Sequence, residues 1–415
     1  MQTESKRFNL LLLMAVLILG TVLRAWNFPR EREARDIDEG GYLQSSLTLA
    51  EGITPPFKAA PGGAQIWLGW SYVMTKTAGL TLFPGPEEKA AALVLRPYVA
   101  LNHVLWDCYY NCELIRRFEL ICIGLMSILS IIPAFYLGRH YAGVPGAILV
   151  GGLIATLPVF VILAGHTRPY SLAWSLGLFA LWQTVRSAAK QKWALAAVLL
   201  GLSIGTRIEM VCLLPFVLIE HFIASDRVAR WQRLAWFTGL SVIVAIASAP
   251  WFFIGLMGSL KTIVGVRLLA GGMERQSIAR ILINLFFTQS VLIPASLVVV
   301  GVFSPMPERL RRYRMSLILA ALLALTMLRP TGYGPQHDGP AFVMLTLCSA
   351  IGLAVVMQRS TRLAWILTAL AIVSALIHTS LRVHRDRSMF TRTDPDQWIQ
   401  RHIPSGTKVF YSGSL

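Results

Sequence analysis

Long apolar runs recur along nearly the whole chain and are separated by short stretches rich in Arg, Lys, Gly or Pro. A helix needs about 20 apolar residues to cross the hydrocarbon layer of a membrane. The pattern therefore predicts an all-α polytopic membrane protein with about eleven transmembrane helices. The predicted spans are 8–23, 117–138, 144–165, 169–186, 193–206, 208–223, 234–256, 281–303, 314–328, 339–357 and 363–381.

Composition supports the same class of protein. The 415 residues are 55% apolar and only 14% charged, against about 25% charged residues in an ordinary soluble domain. These values exclude a soluble enzyme and indicate an integral membrane protein.

The distribution of positive charge predicts the orientation. Lys6 and Arg7 precede the first apolar run, and no small-x-small cleavage site follows it, so we expect a retained helix with a cytoplasmic N-terminus. Short loops rich in Arg and Lys then fall on the cytoplasmic side, as the positive-inside rule requires. An odd number of spans places the C-terminal tail outside.

Residues 28–115 form a long first loop on the non-cytoplasmic side. Within it, Gln65–Leu80 carries Ile66, Trp67, Trp70 and Val73 among polar residues, which is typical of a helix lying along the membrane surface. The segment from about 84 to 115 is a further part of this loop.

The same loop contains an acidic cluster, because Asp36, Asp38 and Glu39 fall within four residues. One interpretation is structural: Asp36 is the N-cap of a helix and the other two lie in its first turn, near the positive end of the helix dipole. The other is chemical, since a compact group of acids among arginines is a candidate reacting centre. Asp36 and Asp38 also have the Asp-x-Asp form that can hold a divalent ion, although two carboxylates are an incomplete shell.

A second set of cations lies on the side where the positive-inside rule would make them rare. Pairing with acids such as Glu209, or with lipid headgroups, would explain any one of them. Together with the acidic cluster they indicate an anionic ligand, and arginine suits phosphate because its planar fork binds two oxygens. In the Gly- and Pro-rich loop 329–338, Arg329 and His337 are a candidate phosphate or sugar clamp, and a turn with a helix cap is the alternative. The cations of this set are Arg168, Arg207, Lys261, Arg267, Arg275, Arg280, Arg329 and Arg382.

The order of these elements resembles the membrane glycosyltransferases of the GT-C superfamily, with the closest likeness to the protein mannosyltransferases and the lipid A aminoarabinose transferases. The likeness starts at Asp38-Glu39-Gly-Gly-Tyr42 and continues through a surface helix. It continues further in the Arg-Pro step at Arg168 and in the pair Thr206-Arg207. It covers nearly the whole chain, and the acidic loop and the topology carry most of it.

The resemblance implies an inverting glycosyltransferase of the plasma (inner) membrane. It would move a sugar from a polyprenyl-phosphate donor to a lipid, glycan or protein acceptor at the outer face. Asp38 would be the general base, with Glu39 supporting it and Asp36 as the rival. Relatives closest in pattern generally need no metal for transfer, so no cofactor is expected. The cations that would stabilise the departing lipid phosphate are Arg168, Arg207, Arg329 and His337.

The sequence departs from the family pattern at one informative position. Tyr170 stands where an acidic residue commonly follows the Arg-Pro step, which leaves no confident second carboxylate. A transporter or flippase for a lipid-linked or anionic solute is the alternative function, since it would use the same arginines. Against it, the chain has no clear internal repeat.

The end of the chain is expected to differ from the membrane domain, residues 1–381. Residues 382–415 form a short extracytoplasmic tail, in which residues 408–411 have a strand-like pattern. The tail resembles the start of a soluble domain, and a single short strand cannot form a core. Either that domain has been lost or the sequence stops early.

Overall fold

The computed structural model describes residues 2–27, 37–53, 62–110, 113–166, 168–187, 193–224, 230–254, 290–306, 308–311, 313, 318 and 339–392. Every regular element in these ranges is a helix, as predicted. Their bounds are α1 Gln2–Asn27, α2 Ile37–Ala50, α3 Gly63–Leu82, α4 Pro86–Ala90, α5 Arg96–Tyr110, α6 Glu113–Leu129, α7 Ile131–Thr156, α8 Pro158–Leu163, α9 Pro169–Ser187, α10 Ala194–Thr206, a 3₁₀ helix Ile208–Leu213, α11 Leu214–Ala224, α12 Arg230–Ser248, α13 Pro250–Ile254, α14 Leu292–Phe303, α15 Glu308–Arg311, α16 Gly339–Arg359 and α17 Thr361–Arg392.

Several of these helices are long and apolar enough to cross a membrane. Within the described ranges, four segments meet that condition: Arg7–Asn27, Leu114–Thr156, Ala341–Arg359 and Thr361–Arg385. The helices Ala194–Thr206 and Leu292–Phe303 are apolar but shorter. The chain is therefore an integral membrane protein, while the count of about eleven spans and their orientation stay predictions.

The longest apolar segment turns back on itself. Ala142 and Gly143 have non-helical backbone angles within α7, with a φ of 62° at Gly143. Gly138 and Gly146 would lie about 12 Å apart in a straight helix, yet a Cβ on Gly138 would meet the Gly146 carbonyl oxygen. The chain therefore reverses between two closely packed helices. This agrees with the predicted end of one span at 138 and start of the next at 144.

Three of the predicted spans are not single continuous α-helices in the structure. The span 144–165 breaks at Leu157, which is extended, because Pro158 disfavours helix at the preceding residue. The span 234–256 breaks in the same way between α12 and α13, where Pro250 follows Ala249. The span 208–223 begins as a 3₁₀ helix and becomes α-helical only at Leu214.

The main hydrophobic core lies among α7, α9, α10 and α16, where large side chains such as Phe160, Trp174 and Phe342 are fully buried. Arg24 closes this core from α1. Its buried guanidinium donates to the carbonyl oxygens of Ile154 (3.0 Å) and Ala155 (3.2 Å) and to Ser127 Oγ (2.9 Å). These carbonyls belong to the last turn of α7, where carbonyls lack helical partners and the helix dipole is negative. One arginine thus ties together α1, α6 and α7.

The segment after α3 folds back onto it. Val104 and Leu105 of α5 pack in one cluster with Val73 of α3. Glu88 in α4 is buried, and its Oε1 lies 2.7 Å from His103 Nδ1 in α5. The hydrogen bond from His103 lowers the pKa of the Glu88 carboxyl from its ordinary value of 4.5, and backbone hydrogen bonds act in the same direction.

The lowered pKa predicts how stability depends on pH. A carboxyl whose pKa is lower in the folded protein stabilises the fold fully above its unfolded pKa, and the contribution is lost as pH falls through the folded pKa. We expect the Glu88→Gln variant to have a lower unfolding temperature than the wild type at about pH 4.5 to 5. Below that pH the difference should shrink.

Thermal unfolding in detergent over about pH 3 to 5 measures this difference. Asp107→Asn is the matched control, because it removes an exposed carboxylate from α5. A difference that stays constant or widens on acidification would show that the Glu88–His103 contact does not stabilise the segment.

Candidate active site

Two of the predicted phosphate ligands lie together. Arg168 immediately precedes α9 and Arg207 immediately follows α10, and both side chains are buried. The Tyr170 side chain connects them: its ring centroid lies 4.4 Å from Arg207 Cζ, and it hydrogen-bonds Arg168. A tyrosine on which a guanidinium stacks contributes a cation–π interaction. Residues far apart in the sequence therefore form one cationic cluster.

The backbone at Arg207 explains why its side chain points into this cluster. α10 ends at Thr206, Arg207 is extended with φ −147° and ψ 113°, and the 3₁₀ helix starts at Ile208. Glu209, in the first turn of that helix, accepts a hydrogen bond from Arg207 Nη2 at 2.7 Å. The Glu209 side chain is 28% exposed, whereas that of Arg207 is 9% exposed.

Burial and neighbouring charge change the two arginines differently. Burial lowers the pKa of Arg168, and the nearby Arg207 lowers it further. Burial also acts to lower the pKa of Arg207, but Glu209, Tyr170 and Tyr42 together outweigh it, so that the pKa is raised. Arginine stays protonated in proteins, so both side chains are fixed positive charges that need anionic partners.

α2, which contains Asp38 and Glu39 in its first turn, lies beside the cationic cluster. Tyr42 of α2 is buried and interacts electrostatically with Arg207. A Cβ on Gly62 would lie 2.7 Å from the Tyr42 ring, and Gly62 has a φ of 59°, so both space and backbone conformation require glycine there. Asp38 lies one helical turn before Tyr42 in α2, and residues four apart occupy one face of a helix.

The start of α3 is fixed to the ends of two core helices. Gly62 N–H donates to the Thr206 carbonyl oxygen at 3.1 Å, and Ala64 N–H donates to Thr206 Oγ1 at 3.2 Å. Trp67 Nε1 donates to the carbonyl oxygen of Ser248, at the end of α12, at 2.9 Å. α3 therefore begins across the ends of α10 and α12, immediately beside Arg207.

A buried polar pair between α3 and α6 was not predicted from the sequence. Gln65 Nε2 donates to Glu119 Oε2 at 3.2 Å, and both residues are fully buried. The available signal was Glu119 itself, an acid inside the apolar run of a predicted span. Because a buried carboxylate needs hydrogen bonds, this pair fixes the rotation of α3 against α6.

The other predicted site residues are described only in part. α2 begins at Ile37, so Asp38 and Glu39 lie in its first turn, as the capping interpretation requires. Asp36, Arg329 and His337 lie outside the described residues. Among the side chains that the structure describes, no group of three or more His, Cys, Asp or Glu could hold a metal ion. The Asp36–Asp38 metal site stays a prediction.

Comparison with protein families adds an independent observation. Residues 119–254 match the family model described as dolichyl-phosphate-mannose-protein mannosyltransferase. The matched segment contains Arg168, Tyr170, Arg207 and Glu209 and excludes the acidic loop. This match confirms the resemblance to the GT-C membrane glycosyltransferases. About a third of the chain carries the match, and the cationic cluster falls inside it.

Solved GT-C structures give matches over most of the chain. The oligosaccharyltransferase of Archaeoglobus fulgidus, in complex with Zn and sulfate, is 14% identical with a TM-score of 0.49, covering 90% of this chain and 53% of its own. ArnT from Cupriavidus metallidurans in the apo state is 16% identical with a TM-score of 0.49, covering 88% of this chain and 62% of its own. The same ArnT bound to undecaprenyl phosphate is 15% identical with a TM-score of 0.48, covering 92% and 72%. The chain thus spans between about half and three quarters of the length of these proteins, and no curated protein matches it.

The close approach of α3 to the core gives a test of the site's architecture. A Cβ on Gly63 would lie 2.7 Å from the carbonyl oxygens of both Gly205 and Ser248. These are backbone atoms that cannot move aside, so we expect Gly63→Ala to destabilise the protein by about 1–3 kcal/mol, the usual cost of overpacking.

Gly79→Ala is the matched control in the same helix, because a Cβ there has nothing within 4 Å. It should leave the unfolding temperature unchanged or raise it, since alanine is favoured over glycine in a helix by about 1 kcal/mol. Thermal unfolding in detergent compares the two variants. Equal unfolding temperatures would contradict the close docking of α3.

Proposed function

We propose that this protein transfers a sugar from a polyprenyl-phosphate donor to a lipid, glycan or protein acceptor, with Asp38 as the general base. The observation that supports this most directly is the convergence of Arg168 and Arg207 beside Tyr42, one helical turn from Asp38. An acid and a pair of buried cations at one end of a helical bundle provide the two kinds of charge that glycosyl transfer needs.

The chemistry is a single displacement. The acceptor hydroxyl oxygen attacks the anomeric carbon and forms the new glycosidic bond, while the bond from that carbon to the donor phosphate oxygen breaks. Asp38 takes the hydroxyl proton, and the lipid phosphate leaves with the bonding electrons. A positioned carboxylate contributes about 10²–10⁴-fold to such a proton transfer, and one displacement inverts the configuration. Glu39 supports the base, and Asp36 is the rival for its role.

The cations act on the leaving group. Negative charge grows on the phosphate as its bond to the sugar breaks, and fixed positive charge in a partly buried site stabilises it most effectively. Arg168 and Arg207 supply that charge at the end of α10, and we assign Arg329 and His337 to the same function. Lipid-facing apolar helices would hold the prenyl chain, which leaves only the headgroup among the polar residues.

The assignment of Asp38 as the base predicts that its substitution affects sugar transfer but not binding of the lipid phosphate. Asp38→Asn should lower sugar transfer by at least about 100-fold, while binding of undecaprenyl phosphate stays within about twofold, because the amide keeps the size of the carboxylate. The assay incubates purified protein with a panel of undecaprenyl-phosphate sugars and follows the release of undecaprenyl phosphate by mass spectrometry.

Asp36→Asn and Glu39→Gln are the controls for the base. Unchanged transfer in Asp38→Asn would remove Asp38 from the mechanism, and loss of transfer only in Asp36→Asn would assign the role to Asp36. Movement of the lipid across vesicle membranes without any transfer would instead favour a flippase.

The cation assignment is tested by binding. Arg168→Gln and Arg207→Gln should each weaken the affinity for undecaprenyl phosphate by about 10- to 100-fold, since a hydrogen bond to a charged group contributes about 1.5–3 kcal/mol. Arg186→Gln is the matched control: Arg186 is exposed at the far end of α9, where it stacks on Trp182. Equal affinities in all three variants would contradict the phosphate site.

A further inference from the structure

Arg207 is already paired in the structure. Its Nη2 donates to Glu209 Oε1 at 2.7 Å, and the Tyr170 ring lies on the guanidinium at 4.4 Å. The two neighbours differ in accessibility, since Tyr170 is buried whereas the Glu209 side chain is 28% exposed. The buried ring therefore holds one face of the cation, and the charged contact comes from a more exposed side chain.

The pairing of Arg207 with Glu209 meets an electrostatic requirement of the cationic cluster. Two buried arginines that interact with each other repel, and an unpaired buried charge is strongly unfavourable. Glu209 supplies a negative charge from a side chain that is more exposed than that of Arg207. A guanidinium has five N–H donors in a planar fork, and a phosphate oxygen that takes the Nη2 donor replaces the carboxylate oxygen there.

We infer that Glu209 is an internal anion that occupies Arg207 when no donor is bound, and that the donor phosphate displaces it. This inference rests on the proposed function, because it needs the Arg168–Arg207 cluster to bind phosphate. Exchange of one anion for another keeps Arg207 paired throughout, and the buried ring of Tyr170 keeps the guanidinium in place. The carboxylate thereby limits donor affinity and favours release of the product, a lipid phosphate.

A purely structural role for Glu209 predicts the opposite effect of neutralising it. If Glu209 only orients Arg207, Glu209→Gln should weaken binding of undecaprenyl phosphate. If Glu209 competes with phosphate, the same variant should bind it roughly three- to fivefold more tightly, the range expected for a partly exposed ion pair. Asp107→Asn removes the same charge from an exposed position on α5 and should leave the affinity unchanged.

Carboxyl labelling supplies a second measurement on the unaltered protein. A water-soluble carbodiimide and an amine modify accessible carboxylates, and mass spectrometry locates them. Labelling of Glu209 should rise as undecaprenyl phosphate is added, and this rise should be absent in Arg207→Gln. Labelling of Asp107 should stay constant.

The outcomes separate the inference from the proposed function. Weaker or unchanged binding in Glu209→Gln, or Glu209 labelling that stays level or falls at saturation, overturns the inference. If Arg168→Gln and Arg207→Gln still weaken binding in that case, the phosphate site survives. If neither arginine variant changes the affinity, both proposals fail.

Discussion

The contact between the start of α3 and the ends of α10 and α12 is the constraint on which the candidate site depends. Gly63 has no side chain to separate these backbones, and the Gly62 N–H pairs with the carbonyl of Thr206. Because Thr206 directly precedes Arg207, the contact fixes the first loop relative to the cationic cluster. Tyr42 then packs against Gly62, so α2 is held at the same place as α3.

Electrostatics at Arg168 oppose the stability of the fold. Arg168 and Arg207 are both buried and interact with each other, and the charge of the whole chain is +17. At Arg168, burial and repulsion from Arg207 outweigh the contact with Tyr170, whereas the neighbours of Arg207 more than offset its burial. A ligand that binds only the folded state stabilises it, and a phosphate would do so by relieving this repulsion. An architecture that tolerates two buried cations is thus consistent with an anionic substrate.

The helices and the cations of the cluster could be predicted from the sequence, whereas the interruptions within helices and the contacts between them could not. The length of the apolar runs predicts where helices lie. The gap predicted between residues 138 and 144 coincides with the chain reversal near Gly143. The interruption at Leu157–Pro158 was missed because apolar residues continue on both sides of the proline. Arg168 and Arg207 were predicted from their unfavourable side of the membrane, a topological argument that does not require contacts. The pairing of Gln65 with Glu119 depends on how α3 rotates against α6, which no local pattern encodes.

Tyr170 contacts both arginines of the cationic cluster. It stands where the resembling family commonly has an acid, and here its ring covers Arg207 while its side chain hydrogen-bonds Arg168. A tyrosine at position 170 lacks the carboxylate that would balance those charges, and Glu209 pairs with Arg207. With no carboxylate at position 170, the proposed mechanism takes its base from the first turn of α2. In the proposed mechanism one carboxylate acts as the base, and Glu209 only pairs with Arg207 until phosphate replaces it. This is sufficient for a single displacement at the sugar, because that reaction needs no second carboxylate as a nucleophile.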